Sequence, residues 1–302
     1  MLSILIPVYN FNCVSLVKEL HSQCVLADIL FEILVLDDTS TQFKSENSVL
    51  NELENCQYIE SVIHFGRAKI RNELGKRAQY ENLLFIDADA LVDRPDFIKN
   101  YLENIDKADV IIGGVKYSQK APQDNVLRWY YGTFREFKAA ETRNQSPYKS
   151  LSSFNILIKK DVFKKHSFDE KSIDSASGYY GHEDTLLGLE FKENSIPIHH
   201  IDNQLIHNSL ESDQEFLEKS LVAVEKYVSS KIFRNPEVVA QIKIFKVFEK
   251  VKKYRLVGLF SFFFKNFEGK MKKKLFKPNP SLRLFDFYRL SYLADYYKKN
   301  RG

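Results

Sequence analysis

Glycine and proline are scarce, 11 and 8 in 302 residues, and cysteine occurs only three times. Those shortages exclude a collagen-like repeat, a proline-rich linker protein and a disulfide-stapled miniprotein. Cys13, Cys24 and Cys56 are odd in number and lack metal-site or redox spacing, so they read as reduced thiols of an intracellular protein. Long apolar runs are missing as well. The greasiest stretch, Leu256 to Phe264, is about half of the ~20 residues that a membrane helix needs. The opening Met1-Leu-Ser-Ile-Leu-Ile-Pro7 has no basic flank and breaks at Pro7, which suits a strand better than a signal peptide.

What is present is a core-forming composition, 44% hydrophobic with 24 Phe and 16 Tyr, and an uneven charge. Residues 241–302 hold 17 Lys and Arg against 4 Asp and Glu, a net +13, while residues 1–240 carry −9. Short apolar runs ending in polar clusters alternate with helix-like stretches in the first half, the pattern of an α/β unit. Strands are expected at Leu2–Val8, Phe31–Leu36, Tyr58–His64, Asn82–Ile86, Val110–Val115, Ser153–Ile158, Ile196–Ile201 and Gln204–His207. Helices are expected at Val14–Gln23, 45–55, Ala68–Tyr80 and Thr185–Phe191, and one begins at Pro95.

Four constellations carry the possible chemistry. Asp87-Ala88-Asp89 follows the apolar run Leu83–Ile86, where a turning chain can aim two carboxylates at one hard cation; the same triplet also recurs in plain surface turns. Asp37-Asp38 closes another apolar run and could accept a nucleobase or ribose hydrogen bond, or serve as a turn or cap. Gly66-Arg-Ala-Lys-Ile-Arg-Asn72 places Arg67 and Arg71 at i, i+4 beside a helix N-terminus, an arrangement that suits a diphosphate and equally a solvated basic face. Gly181-His-Glu-Asp184 offers a carboxylate as general base, and His207 could join a metal shell or be structural. His199 and His200 read as structural.

Taken together in order and spacing, Pro7-Val-Tyr-Asn10, Asp37-Asp38, Arg67 to Asn72, Asp87-Ala-Asp89, Gly181-His-Glu-Asp184 and His207 form a series that closely resembles family 2 glycosyltransferases of the inverting GT-A type. The resemblance covers roughly residues 1–220. It implies an α/β GT-A fold, a mixed, mostly parallel central sheet flanked by helices; residues 221–302, beyond it, read from their own composition as a basic, aromatic-rich helical extension. It also implies a nucleotide-sugar donor, most readily a UDP-sugar, and a divalent cation, Mn²⁺ or Mg²⁺. Position by position, Pro7 and Tyr9 would flank the base and Asp38 would contact the uracil or ribose. Arg67 and Arg71 would sit on the nucleotide-contacting helix. Asp87 would face the ribose or a metal-bound water, Asp89 would ligate the metal, and His207 would be a later ligand. Asp184 would be the catalytic base, Glu183 would orient a hydroxyl, and His182 would touch the sugar, standing where relatives often carry an aromatic.

The acceptor would be a hydroxyl of a glycan or a lipid-linked saccharide. The alternation of Phe and Lys in 241–302 suits the surface of an anionic membrane, which would place the protein in the cytoplasm, peripheral to the inner face of the cell membrane. The other reading of the tail is that its aromatics pack and its lysines are solvated. No nucleic-acid module is recognised. Two rival functions stay open: a non-catalytic glycan-binding or scaffold protein with a vestigial site, and a sugar nucleotidyltransferase, for which a Gly-rich N-terminal loop is lacking.

Overall fold

The computed structural model describes residues 1–170 and 182–300. The chain divides into two compact units: residues 1–118, 137–170 and 186–209 form the first, and residues 119–136, 171–185 and 210–302 the second.

The first unit is built on ten strands: β1 (Leu2–Val8), β2 (Phe31–Asp37), β3 (Cys56–Glu60), β4 (Asn82–Ile86), β5 (Ala90–Leu91), β6 (Val110–Ile112), β7 (Val115–Lys116), β8 (Asn155–Lys159), β9 (Ile198–His200) and β10 (Leu205–His207). Seven of them form a sheet of order β3-β2-β1-β4-β8-β6-β9, and β5-β10-β7 form a smaller one. β3, β2, β1 and β4 run parallel, whereas β8 is antiparallel to both β4 and β6. The inner strands are near-continuous apolar runs because helices cover both faces. Alternate side chains of β1 go opposite ways. Ile4 and Ile6 join Val17 and Leu20 of the helix Val14–Leu26, while Leu5 joins Ile70 and Leu74 of the helix Arg67–Arg77. Cys13, Cys24 and Cys56 are free and buried, and burial pushes their thiols up to about 12, 12 and 11.

Several elements differ from the sequence expectation for physical reasons. The run Val110–Val115 is two strands in two sheets. Gly114 has φ of +92°, and a side chain on Gly113 would lie 2.3 Å from Asn155 Nδ2 and 2.5 Å from the Asn203 carbonyl. Only a glycine pair lets the chain leave one sheet for the other there. The strand expected to reach His64 ends at Glu60, because Ser61 to Ile63 turn outward and the amides of Phe65 and Gly66 are drawn to Asp38. The helix expected over 45–55 is a short helix, Lys44–Ser48, followed by one 3₁₀ turn, Val49–Glu52.

The second unit is helical among its described residues, with Val126–Tyr131 running into one π-helical turn, Gly132–Glu136, and then Asp213–Ser229, Pro236–Gln241, Lys243–Lys253, Val257–Leu275 and Leu282–Asn300. Its core joins Leu127, Phe216, Leu217, Phe264, Met271, Leu275, Phe285 and Tyr288. The helical unit therefore takes in residues 119–136, and a boundary at 220 would cut the helix Asp213–Ser229, which starts at a capping box of Ser212 and Glu215. Among the described residues, no helix is long and apolar enough to cross a membrane.

Candidate functional site

Parallel pairing of β1 with β2 sets Val8 beside Asp37, and pairing of β1 with β4 sets Leu5 beside Phe85. The carboxyl ends of three adjacent strands thus bring Tyr9, Asp38 and Asp87 to one edge, the edge at which open α/β sheets bind ligands. The two neighbouring aspartates have separate tasks. Asp37, fully buried, accepts the Ser40 N–H at 2.6 Å and the Tyr58 hydroxyl at 2.8 Å, which makes it the turn residue. Asp38 accepts the Phe65 N–H at 2.5 Å and the Gly66 N–H at 2.9 Å, fastening the entry to the helix Arg67–Arg77. Oδ2 also faces His64, so of the two Asp38 oxygens Oδ1 has the fewer partners.

Beyond Pro7 in β1, Tyr9 is 57% exposed, and its ring centroid lies 5.7 Å from that of His64. His64 Nδ1 stands 3.2 Å from Asp38 Oδ2. Tyr9, His64 and Asp38 make an open aromatic and acidic corner. His64 was not among the residues expected from the sequence. It lies in a segment whose apolar neighbours read as strand, and only the turn after Glu60 turns it toward Asp38.

Arg71, expected to contact a nucleotide, lies in the helix Arg67–Arg77 with its side chain buried. It bonds Asp87 Oδ1 through Nη2, donates to the Arg67 carbonyl at 2.9 Å through Nη1, and its guanidinium lies 5.7 Å from the Phe168 ring centre. Arg67, about half exposed, approaches the other Asp87 oxygen at 3.8 Å. The i, i+4 spacing did put both arginines on one face, and the face is occupied by the carboxylate of Asp87, the residue that follows β4.

Asp89 and His207 meet because β10 pairs antiparallel with β5, His207 opposite Ala90. His207 Nε2 lies 2.9 Å from Asp89 Oδ2, and the imidazole is held between Tyr117 and Phe154, centroids 5.9 and 5.2 Å away. Burial pushes the Asp89 carboxyl up, but the hydrogen bond and charge of His207 and the charge of Arg67 outweigh it and hold it below the usual carboxylate range. Asp87, expected to face the ribose or a metal-bound water, has its carboxylate on Arg67 and Arg71. Among the described residues, no group of three or more His, Cys, Asp or Glu is placed to hold a metal ion.

The remaining expected residues fall in the second unit. Gly181 and the loop before it lie outside the described residues. Glu183 and Asp184 occupy the first turn of the helix Glu183–Glu193, where the positive end of the helix dipole favours carboxylates. His182, expected to touch a sugar, is packed against Phe233 and Phe245, centroids 5.4 Å away in each case, with Nε2 3.3 Å from the Ala223 carbonyl. Burial holds its imidazole below the usual histidine range. A ring engaged in this way anchors the start of the helix that carries Glu183 and Asp184.

Comparison with known proteins was made on this geometry. A family model described as Glycosyl transferase family 2 matches residues 3–167, more than half of the chain. No match was found among curated proteins. Among solved structures, a mannosyltransferase from Pyrobaculum calidifontis in complex with GDP-Man and Mn²⁺ is similar at a TM-score of 0.56 and 14% identity, over 99% of this chain and 86% of that one. S. aureus TarS 1–349 in complex with UDP-GlcNAc is similar at 0.51 and 20% identity, over 76% of this chain and 67% of that one. Against the longer crystallised TarS chain the match spans 40% of that protein, at a TM-score of 0.49 and 22% identity.

Proposed function

The chain belongs to glycosyl transferase family 2, with a mixed α/β fold of the GT-A type, and on that premise we propose that it transfers a sugar from a nucleoside diphosphate donor, a UDP-sugar by preference, to a hydroxyl of a glycan or lipid-linked acceptor, inverting the anomeric carbon. The observation that carries the reading is the gathering of Tyr9, Asp38 and Asp87 at three adjacent parallel strand ends, with the Asp89–His207 pair following in sequence.

In this reading Pro7, Tyr9 and His64 flank the base and Asp38 accepts from the base or the ribose. Arg71 acts from behind: it positions Asp87, and Arg67, the more exposed of the two arginines, is the one able to meet a phosphate. The residues present fit a divalent cation. A carboxylate and an imidazole 2.9 Å apart would give Mn²⁺ two donors, the imidazole suiting it better than Mg²⁺, with substrate phosphates and water completing the set. Asp89 and His207 would hold it, with Asp87 reaching it only through water or the ribose. When bound, the cation supplies neutralisation of the leaving diphosphate. Transfer is one displacement. The acceptor oxygen bonds to the anomeric carbon, its proton passes to the Asp184 carboxylate, and the bond to the diphosphate breaks with its electron pair going to the leaving group. Glu183 orients a hydroxyl beside it. A lipid-linked acceptor would be met at a membrane, and residues 241–302 are the part of the chain suited to that surface.

Calorimetric titration of UDP, with GDP beside it because the two solved relatives hold different nucleotides, tests the donor site in the wild type and in Asp89→Asn, each with and without Mn²⁺. Binding that prefers UDP, requires Mn²⁺ and is lost in the variant is expected. Binding of neither nucleotide, or binding indifferent to metal and mutation, removes the metal assignment and leaves the vestigial scaffold in its place.

A further inference from the structure

The helix Val257–Leu275 of the second unit has two unlike faces. One is core: Ser261, Phe264, Met271 and Leu275 are buried, and Ser261 donates at 2.8 Å to the buried Asp295. The other looks outward along its whole length. At 100° per residue, Leu259, Phe262, Asn266, Gly269, Lys270 and Lys273 share that face, and the exposed Lys274 flanks it. Leu259 is 49% exposed and Phe262 is 56% exposed, and a side chain built on Gly258 or Gly269 would meet nothing within 4 Å. The apolar residues lie in the N-terminal half, and Lys270, Lys273 and Lys274 follow in the C-terminal half.

A folded helix does not keep large apolar side chains in water to stabilise itself. An exposed leucine and phenylalanine one turn apart, followed by a block of cations, suit a partner that is apolar within and anionic at its surface. Three of the four acidic residues in 241–302 are already matched inside the unit: Glu249 with Lys252, Asp286 with Arg135 and Arg289, and Asp295 with Lys265 and Lys299. The fourth, Glu268, accepts from Tyr288. Tyr288 is neutral and leaves the Glu268 charge in place, but one carboxylate beside Lys270, Lys272, Lys273 and Lys274 leaves that end of the helix net positive and complementary to an anionic surface.

We infer that the outward face of the helix Val257–Leu275 docks on an anionic lipid bilayer, with Leu259 and Phe262 entering the interface and Lys270, Lys273 and Lys274 meeting the headgroups. Among the described residues no helix can span a membrane, so the attachment is peripheral. The inference is independent of the donor-site assignment, since none of these residues belongs to that site.

Vesicle flotation of the full chain tests it, with phosphatidylcholine alone and phosphatidylcholine mixed with phosphatidylglycerol. The wild type is expected to float with the anionic vesicles only. Lys270→Gln, Lys273→Gln and Lys274→Gln combined should weaken binding roughly 100-fold, about fivefold per lysine. Leu259→Ser with Phe262→Ser should weaken it at least about tenfold. Both variants should melt at the wild-type temperature, because the replaced groups are exposed, and should bind UDP as the wild type does. Failure of the wild type to float, equal flotation with neutral vesicles, or variants that float like the wild type would overturn the inference. So would a single-stranded oligonucleotide that displaces the vesicles in the same buffer, which would assign the face to nucleic acid.

Discussion

Removal of Arg71 separates two accounts of that residue. If it served only to bind a diphosphate, its loss would spare the stability of the free protein. The structure gives it a different first task. Its side chain is 6% exposed, that of Asp87 is 18% exposed, and the two are joined directly. Deleting one partner strands the other charge in a poorly solvated place, at a cost of about 3–5 kcal/mol. Arg67 at 3.8 Å and about half exposed offsets part of this for Asp87, so the lower end, about 3 kcal/mol, is expected for Arg71→Met. At about 2–4 °C per kcal/mol for a unit of this size, the melting temperature should fall by about 6–12 °C. Asp87→Asn should cost a similar amount, and the double variant should cost about 2–3 kcal/mol less than the sum of the two. Urea denaturation followed by far-UV circular dichroism is the assay, because the single tryptophan, Trp129, belongs to the other unit and reports on that one. Single variants within about 1 kcal/mol of the wild type and strictly additive would refute the positioning role.

Other outcomes follow from the same geometry. Asp184→Asn should keep UDP affinity and lower the transfer rate by about 10²–10⁴-fold, read as product formed per enzyme; normal turnover would remove it as the base. His200 is buried, accepts from Arg143 Nη1 at 2.8 Å and so donates through Nε2 to the Pro147 carbonyl at 3.0 Å. Burial depresses its pKa from 6.5 to about 4, so the unfolded chain binds the proton first as pH falls. Stability is then present above pH 6.5 and is lost between there and about pH 4, with about 2 kcal/mol gone from pH 7 to 5. His200→Gln should flatten that part of the urea-midpoint profile. Gly188→Ala should destabilise by about 1–3 kcal/mol in the same denaturation assay, since its Cβ would lie 2.4 Å from the Tyr148 carbonyl oxygen, a backbone atom with little room to yield.

The strands that build the site were legible because each is an apolar run ending in carboxylates: β1 to Val8, β2 to Asp37 and β4 to Ile86. Burial on both faces of a parallel sheet leaves that mark locally, with no knowledge of the partners. The glycine-governed switch between β6 and β7 left a weaker mark, Gly113-Gly114, whose meaning depends on Asn155 and Asn203 far along the chain. Helical character in the basic tail was also legible. The joining of residues 119–136 to it was not, because that depends on Leu127 and Tyr131 packing with Phe216 and Phe285.

Apolar runs, spacing and charge asymmetry by themselves marked an α/β chain with a basic helical end, since these properties are carried by neighbouring residues, and the order of its short motifs carried the resemblance to family 2. Tertiary structure alone decided which of two adjacent aspartates holds the Ser40 turn and Tyr58 and which holds the amides of Phe65 and Gly66. It also turned Arg71 inward to Asp87, placed His64 beside Tyr9, and brought His207 to Asp89 across 118 positions. The physical reason is common to all four. A side chain's task depends on what desolvates it and what pairs with it, and both are supplied by segments distant in sequence.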